Sequence, residues 1–233
     1  MSEIEAYWSR VPCGSRHLDP TWQRFFVQPH IREFAQFDRW KGKRVLEIGC
    51  GIGTDTLEFE KAGAYVQAVD ASMKSIEIAM KRCRTTKFFV VDAEEYLPTD
   101  YFDLIYSFGV LHHTPHPEII LQKANARLNE NGELRIMLYA KWSIKHLFGI
   151  QPEAQAGCPL VRWYSEREAR KLLESCDFRV VSIEKTHIFP WRIADYVQHK
   201  FVKCWYYRIM PKRFFEWLEH RLGHHLLLVA VKA

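Results

Sequence analysis

The stretch Val45-Leu46-Glu47-Ile48-Gly49-Cys50-Gly51-Ile52-Gly53-Thr54 decides how this chain folds. An apolar run with β-branched residues carries an acid near its end, then alternating glycines, then a helix start. That is the pattern of a strand feeding a tight, ligand-cradling turn. Glycines are needed there because side chains would block the approach of backbone to a bound molecule. The run departs from the dinucleotide fingerprint in two places. Thr54 stands at the sixth position, where that fingerprint wants Gly or Ala for helix–strand packing. Glu47 precedes the first glycine, where a carboxylate suits a cationic ligand better than a pyrophosphate.

Outward from that turn, strand-like and helix-like stretches alternate. Residues 44–48 read as a strand, 54–62 as a helix stopped by Gly63, and 65–69 as a second strand ending at Asp70. Ser72 is placed to cap a helix over 73–83. A third strand over 87–91 ends at Asp92, and a fourth covers 103–106. A helix over 117–128 and the turn pair Asn131-Gly132 lead into a fifth strand over 133–139. Ser165-Glu166-Arg167-Glu168 is a capping box for a helix running to about Ser175, and strands over 178–184 and 225–231 follow. Short apolar strands separated by helices predict an α/β fold, a doubly wound, mostly parallel sheet covered on both faces.

The chain reads as one domain over 1–233. It divides into an N-terminal cap over 1–40, a cofactor-binding core over 41–139, a cap insertion over 140–164 and a C-terminal part of the sheet over 165–233. A helical insertion over 187–223 belongs to that last part. Ligands of open α/β sheets sit beyond the carboxyl ends of the strands, so the first two caps are expected to cover that edge.

Composition excludes several classes. The apolar fraction of 48% and charged fraction of 26% are those of a soluble globular protein. No run of about 18 apolar residues is present, so no membrane span is expected. Residues 1–5 lack the basic and apolar regions of a signal peptide, which makes the cytoplasm the expected location. The 6 cysteines are scattered without a Cys-x-x-Cys pair, which argues for reduced thiols against a zinc ribbon or a redox pair. A formal charge of +5 is too modest to make nucleic acid the expected partner.

Several stretches carry the remaining signal. Asp70-Ala71 closes the second strand at the distance where an acid accepts from ribose hydroxyls, and Asp92-Ala93 closes the third. After the fourth strand comes Ser107-Phe108-Gly109-Val110-Leu111-His112-His113-Thr114-Pro115, and Leu128-Asn129-Glu130-Asn131-Gly132-Glu133-Leu134 leads into the fifth. Together with the glycine turn, Ala68-Val69-Asp70-Ala71-Ser72 and Val91-Asp92-Ala93, these resemble the motifs of class I S-adenosylmethionine-dependent methyltransferases over residues 44–139. The branch resembled is the one acting on small molecules such as quinones and natural products.

That resemblance implies a Rossmann-like sheet of seven strands with an antiparallel final strand. It implies S-adenosyl-L-methionine as cofactor, held by Glu47, Gly49, Cys50, Gly51, Gly53, Asp70, Ala71, Asp92, Ala93 and Ser107. It implies transfer of a methyl group to an O, N, S or C atom of a small organic acceptor. His112 and His113 follow the fourth strand, where the methyl group is expected, and a histidine near its neutral pKa suits general-base work. His113 matches the family position better, and adjacent residues on a helical turn face different ways. No carboxylate or cysteine joins His112, His113 and His116, so no metal site is expected. Tyr7, Trp8, Cys13 and His17 in the N-terminal segment, with Tyr139 and Trp142 after the fifth strand, are expected to wall the acceptor pocket.

The resemblance lacks an Asp/Asn-Pro-Pro-Tyr/Phe motif after the fourth strand, which argues against a DNA base methylase. A methyltransferase acting on RNA or protein and a non-catalytic S-adenosylmethionine-binding or partner protein stand as alternatives. A homodimer is compatible with the sequence. Residues 200–221 mix bases with aromatics. They read first as helices packing on the sheet with a solvated basic face, next as a dimer or cap surface, and last as a contact for lipid or nucleic acid.

Overall fold

The computed structural model describes residues 3–10, 12–13, 19–149 and 158–233. The chain opens with α1 (Glu3–Arg10), α2 (Pro20–Val27), α3 (His30–Ala35) and a 3-10 turn over Phe37–Trp40. Strands and helices then alternate through β1 (Arg44–Ile48), α4 (Thr54–Lys61), β2 (Tyr65–Asp70), α5 (Met73–Arg82), β3 (Lys87–Val90) and β4 (Phe102–Phe108). A 3-10 turn over Leu111–His113 precedes α6 (Pro117–Arg127) and β5 (Leu128–Tyr139). The rest comprises α7 (Ile144–Leu147), α8 (Glu166–Glu174), β6 (Phe178–Thr186), α9 (Ile193–Tyr196), α10 (Trp205–Ile209), α11 (Lys212–Leu222) and β7 (His225–Lys232).

The strands form one seven-stranded sheet in the order β3-β2-β1-β4-β5-β7-β6. β1 to β5 pair in parallel, and β7 runs antiparallel between β5 and β6. This is the Rossmann-like arrangement expected. The chain winds outward from β1 in one direction and from β4 in the other, so the crevice for a ligand opens at the carboxyl ends of these two neighbours. Both serine caps behave as read. Ser72 accepts from the backbone of Ser75, and Ser165 with Glu168 closes a reciprocal capping box. The Asn131-Gly132 turn lies inside the bounds of β5. Phe102 pairs with Leu128 and Leu104 already pairs with Glu133, so the intervening residues bulge out of the ladder.

A separate core covers each face of the sheet. One joins Leu46, Ile48 and Ile105 to Ile120, Leu121 and Ala124 of α6 and to Ala169 and Leu173 of α8. The other joins Val45, Leu104 and Tyr106 to Phe59 of α4 and to Phe25, Ile31, Phe34, Phe37 and Trp40. Burying each large side chain is worth about 1.5–3 kcal/mol. Residues 20–40 therefore form a layer on the sheet, and His30 of that layer reaches the carboxyl edge at His225. Trp40 fixes that layer by donating its indole N–H to the Ala35 carbonyl at 3.0 Å.

β6 and β5 end together. Thr186 and Tyr139 both pair with His225, so the 187–223 insertion springs from the carboxyl edge. Among the described residues, no helix is long and apolar enough to cross a membrane.

Candidate active site

The glycine turn is shaped by close contact on one side and open space on the other. Gly49 has φ 75°, and a Cβ there would lie 2.1 Å from the Val110 side chain. Gly51 has φ 53°, and a Cβ there would meet nothing within 4 Å. Backbone is thus exposed on an open side where a ligand can lie against it. The Gly51 N–H donates to Asp70 Oδ2 at 2.8 Å, and the Ser72 N–H donates to Oδ1 at 2.9 Å. Burial pushes the Asp70 carboxyl up while these two N–H groups pull it down. Among the described residues Asp70 has no cationic partner.

Glu47 lies beneath the turn, 4% exposed, and accepts from the Thr56 hydroxyl. Burial, then the Asp55 carboxylate, pushes its carboxyl up to about 8, against the pull of Thr56. A cation brought beside it would restore the charge. Asp92 accepts from the Glu94 N–H at 2.8 Å through Oδ1. Ala71, Asp92 and Ala93 are half-buried at the ends of β2 and β3. Cys50 is buried, and its N–H donates to the Val69 carbonyl at 3.1 Å. Ser107 closes the end of β4 from within the sheet. Its buried hydroxyl donates to the Ile48 carbonyl at 3.1 Å and so ties β4 to β1.

Beyond β4 the two histidines stand side by side, with ring centroids 4.3 Å apart. His112 is fully buried and lies 3.7 Å from the Tyr139 ring. Burial, reinforced by His113, holds its pKa well below the usual value. The His113 Nδ1 lies 2.8 Å from the Leu160 carbonyl, an acceptor, so Nδ1 carries the proton and Nε2 the lone pair. That Nε2 is buried without a hydrogen-bond partner among the described residues. Burial lowers the His113 pKa, opposed by the Leu160 carbonyl. Leu160 is held by its neighbours: the Arg162 N–H donates to the His112 carbonyl at 2.8 Å. Cys158 Sγ lies 3.5 Å from His113 Nδ1.

The expected pocket walls divide. Trp8 lies edge-on to His113 at 5.2 Å, and Tyr7 stands against Trp8 at 5.0 Å. Cys13 is exposed, within electrostatic reach of Arg24 and Asp70. Tyr139 is buried against His112 and His224. Trp142 does not join them. Its φ of 62° turns the chain into α7, and the indole is 62% exposed beside His146. His17 lies outside the described residues.

The structure adds residues that sequence reasoning missed. His224 stacks on Tyr139 at 4.2 Å, His225 lies 4.5 Å from His187, and His30 Nε2 lies 2.9 Å from His225 Nδ1. Trp163 closes on His224 at 5.2 Å. Burial pushes His30 down to about 3 and holds His187, His224 and His225 well below the usual value. The adjacent His224-His225 pair was the available signal, but His225 reads as the start of the strand over 225–231. Among the described residues, no group of three or more His, Cys, Asp or Glu is arranged to hold a metal ion.

Comparison with known proteins decides the family. A family profile described as a methyltransferase domain matches residues 22–183. The chain belongs to the S-adenosylmethionine-dependent methyltransferases. It is 25% identical over 170 residues to a ubiquinone biosynthesis O-methyltransferase of Coxiella burnetii, covering 64% of this chain and 69% of that protein. It is 28% identical over 195 residues to a tRNA U34 carboxymethyltransferase of Colwellia psychrerythraea, covering 78% of this chain and 58% of that one. The fold matches the 1,6-didemethyltoxoflavin-N1-methyltransferase of Burkholderia thailandensis with a TM-score of 0.64 at 19% identity, over 99% of this chain and 87% of the other.

The site fits the cofactor of this family. S-adenosyl-L-methionine presents cations, hydroxyls and an amino group, all of which seek acceptors. The turn offers open backbone at Gly51 and, around it, the acids Glu47, Asp70 and Asp92, none ion-paired among the described residues.

Proposed function

We propose that this methyltransferase acts on a small organic acceptor bound at the carboxyl edge of the sheet beside His113. The observation that carries the reading is the His113 ring itself: Nδ1 is committed to the Leu160 carbonyl, and Nε2 is left buried, basic and unpartnered among the described residues. A hydroxyl acceptor must lose its proton, and a neutral imidazole nitrogen placed this way takes it. The lowered pKa keeps the ring neutral and ready at ordinary pH. Tyr139, His112 and Trp8 all lie against the ring, an aromatic surround of the kind that keeps a reacting oxygen away from water.

On the cofactor side, Asp70 is assigned to the ribose hydroxyls, Asp92 to the adenine amino group, and Glu47 with the glycine turn to the cationic end. When bound, S-adenosyl-L-methionine supplies an electrophilic methyl group. The relative named as an O-methyltransferase supports an oxygen acceptor, and the one named for tRNA favours the RNA alternative.

The test combines binding with turnover. S-adenosylhomocysteine should raise the melting temperature, and NAD should not. Labelled methyl transfer to a panel of phenols, carboxylic acids, thiols and heteroaromatic amines then finds the acceptor class. On the best of these, His113→Gln should lower kcat by about 10²–10⁴-fold and abolish the acid limb of the pH profile. Its affinity for S-adenosylhomocysteine should stay unchanged. Undiminished turnover would remove His113 from proton transfer, and transfer to tRNA alone would replace the small acceptor.

A further inference from the structure

The insertion between β6 and β7 carries a surface that the reaction does not use. From residue 193 to residue 217 it holds Lys200, Lys203, Arg208, Lys212 and Arg213 against Asp195 and Glu216, a net charge of +3 out of the +5 of the whole chain. No side chain of α9, α10 or α11 is buried. Trp205 is 71% exposed, Ile209 73% and Trp217 51%, with Ile193, Val197, Val202, Tyr206 and Phe214 also exposed. α11 does pack against β6, as in the first sequence reading of helices on the sheet with a solvated basic face, but that reading leaves the apolar exposure unexplained.

The surface is continuous with α2. Phe26 stacks on Trp191 at 5.3 Å, and Trp22 meets Phe201 at 5.3 Å, while Trp22 and Phe26 themselves remain exposed. An apolar area of this kind, rimmed by charge, marks a contact surface. Charge selects the occupant. A second copy would bring a like-charged face against this one, which Coulomb repulsion opposes. A nucleic acid would satisfy the cations and the rings but leave Ile193, Val197, Val202 and Ile209 with nothing to contact. A bilayer interface takes all three classes of side chain. Indoles sit at headgroup level, aliphatics reach the acyl boundary, and Lys and Arg meet lipid phosphates.

We propose that the outward face of residues 193–217 docks on an anionic phospholipid surface, with Trp205, Ile209 and Trp217 seated at the acyl boundary and the five cations against headgroup phosphates. The insertion springs from the carboxyl edge of the sheet. The inference holds whatever the acceptor is.

Co-sedimentation of the full chain with vesicles tests it. One vesicle set is phosphatidylcholine alone, and the other contains about 30 mol% phosphatidylglycerol. The protein should bind the anionic set, spare the neutral set and be released by salt. Lys200→Glu/Arg208→Glu/Arg213→Glu and Trp205→Ser/Ile209→Ser should each weaken binding by about tenfold or more. Both should keep the stabilisation by S-adenosylhomocysteine, which shows that they fold; if the apolar pair does not, the charge variant decides. Wild-type protein left in the supernatant with anionic vesicles overturns the proposal. So does binding that both variants retain, a dimer that the apolar variant dissociates in place of vesicle binding, or salt-sensitive retention on RNA alone.

Discussion

Glu47 and Gly49 stand two residues apart and are constrained in different ways. Gly49 is fixed by space, since Val110 fills the position of its Cβ. Glu47 is fixed by solvation. Its carboxyl, ordinarily near 4.5, is pushed up to about 8 by burial and by the neighbouring carboxylates of Asp55 and Asp70. The folded state then binds a proton more tightly than the unfolded state does. The resulting stability is full below the unfolded pKa and declines as pH rises towards 8. Glu47→Gln keeps an acceptor for the Thr56 hydroxyl and removes the titration. Urea unfolding of the cofactor-free protein should show the wild type losing stability against this variant between about pH 4.5 and pH 8, and holding level above that. Parallel curves would mean that Glu47 is ionised in the free protein. The glycine spacing made this turn legible in the sequence, because each of its constraints is local. The protonation of Glu47 was not legible, because it depends on Asp55, which belongs to a clamp closed by residue 24.

That clamp operates between elements. Arg24 of α2 pairs through Nε and Nη2 with Asp55 at the start of α4, and Tyr106 of β4 donates to the same carboxylate at 3.0 Å. Arg82 of α5 adds a bond to the Thr21 hydroxyl at 2.7 Å. The elements themselves were readable: β1, α4, α5 and α8 start where period, glycine stops and serine caps place them. The layer formed by residues 20–40 was not, since Arg24 and Asp55 lie 31 residues apart and nothing local pairs them. The same holds for β5, where an Asn-Gly turn signal became a bulge once Leu128 found a partner in Phe102. Asp55 is 2% exposed at its side chain and Arg24 25%, so removing the cation strands a buried charge. Arg24→Met should cost about 2–4 kcal/mol in urea unfolding. Adding Asp55→Asn should return at least half of that loss, because the charge causes it and not the lost contact. A double variant no more stable than Arg24→Met would assign the cost to packing.

At the scale of the whole molecule, strand order creates a feature that no segment contains. His30, His112, His113, His187, His224 and His225 come from separate stretches, and they meet because β7 is inserted between β5 and β6. The parallel core and the antiparallel last strand were legible in the sequence, but His225 as the start of that strand carries no sign of what faces it. The titratable groups around these rings are other histidines with Tyr139, Cys158, Arg24 and Lys145, and burial takes Lys145 itself down to about 8. Among the described residues no acid offsets them, so the fold holds the imidazoles neutral. Their folded pKa values lie below the unfolded one, and the stability they carry is present above about pH 6.5 and lost as pH falls. Each ring that stays neutral in the fold steepens that loss by up to about 1.4 kcal/mol per pH unit. Glu47 acts in the opposite sense but is one group against several. Unfolding free energy should therefore fall steeply between about pH 6.5 and pH 5, a large share of a stability of about 5–15 kcal/mol. Exchanging His187 and His224 for Asn should make that slope shallower by close to two protons, with His224→Gln alone giving about half the change. An unchanged slope would mean that the rings already carry protons in the fold. They would then need an anionic partner at this edge, which the acceptor itself would have to supply.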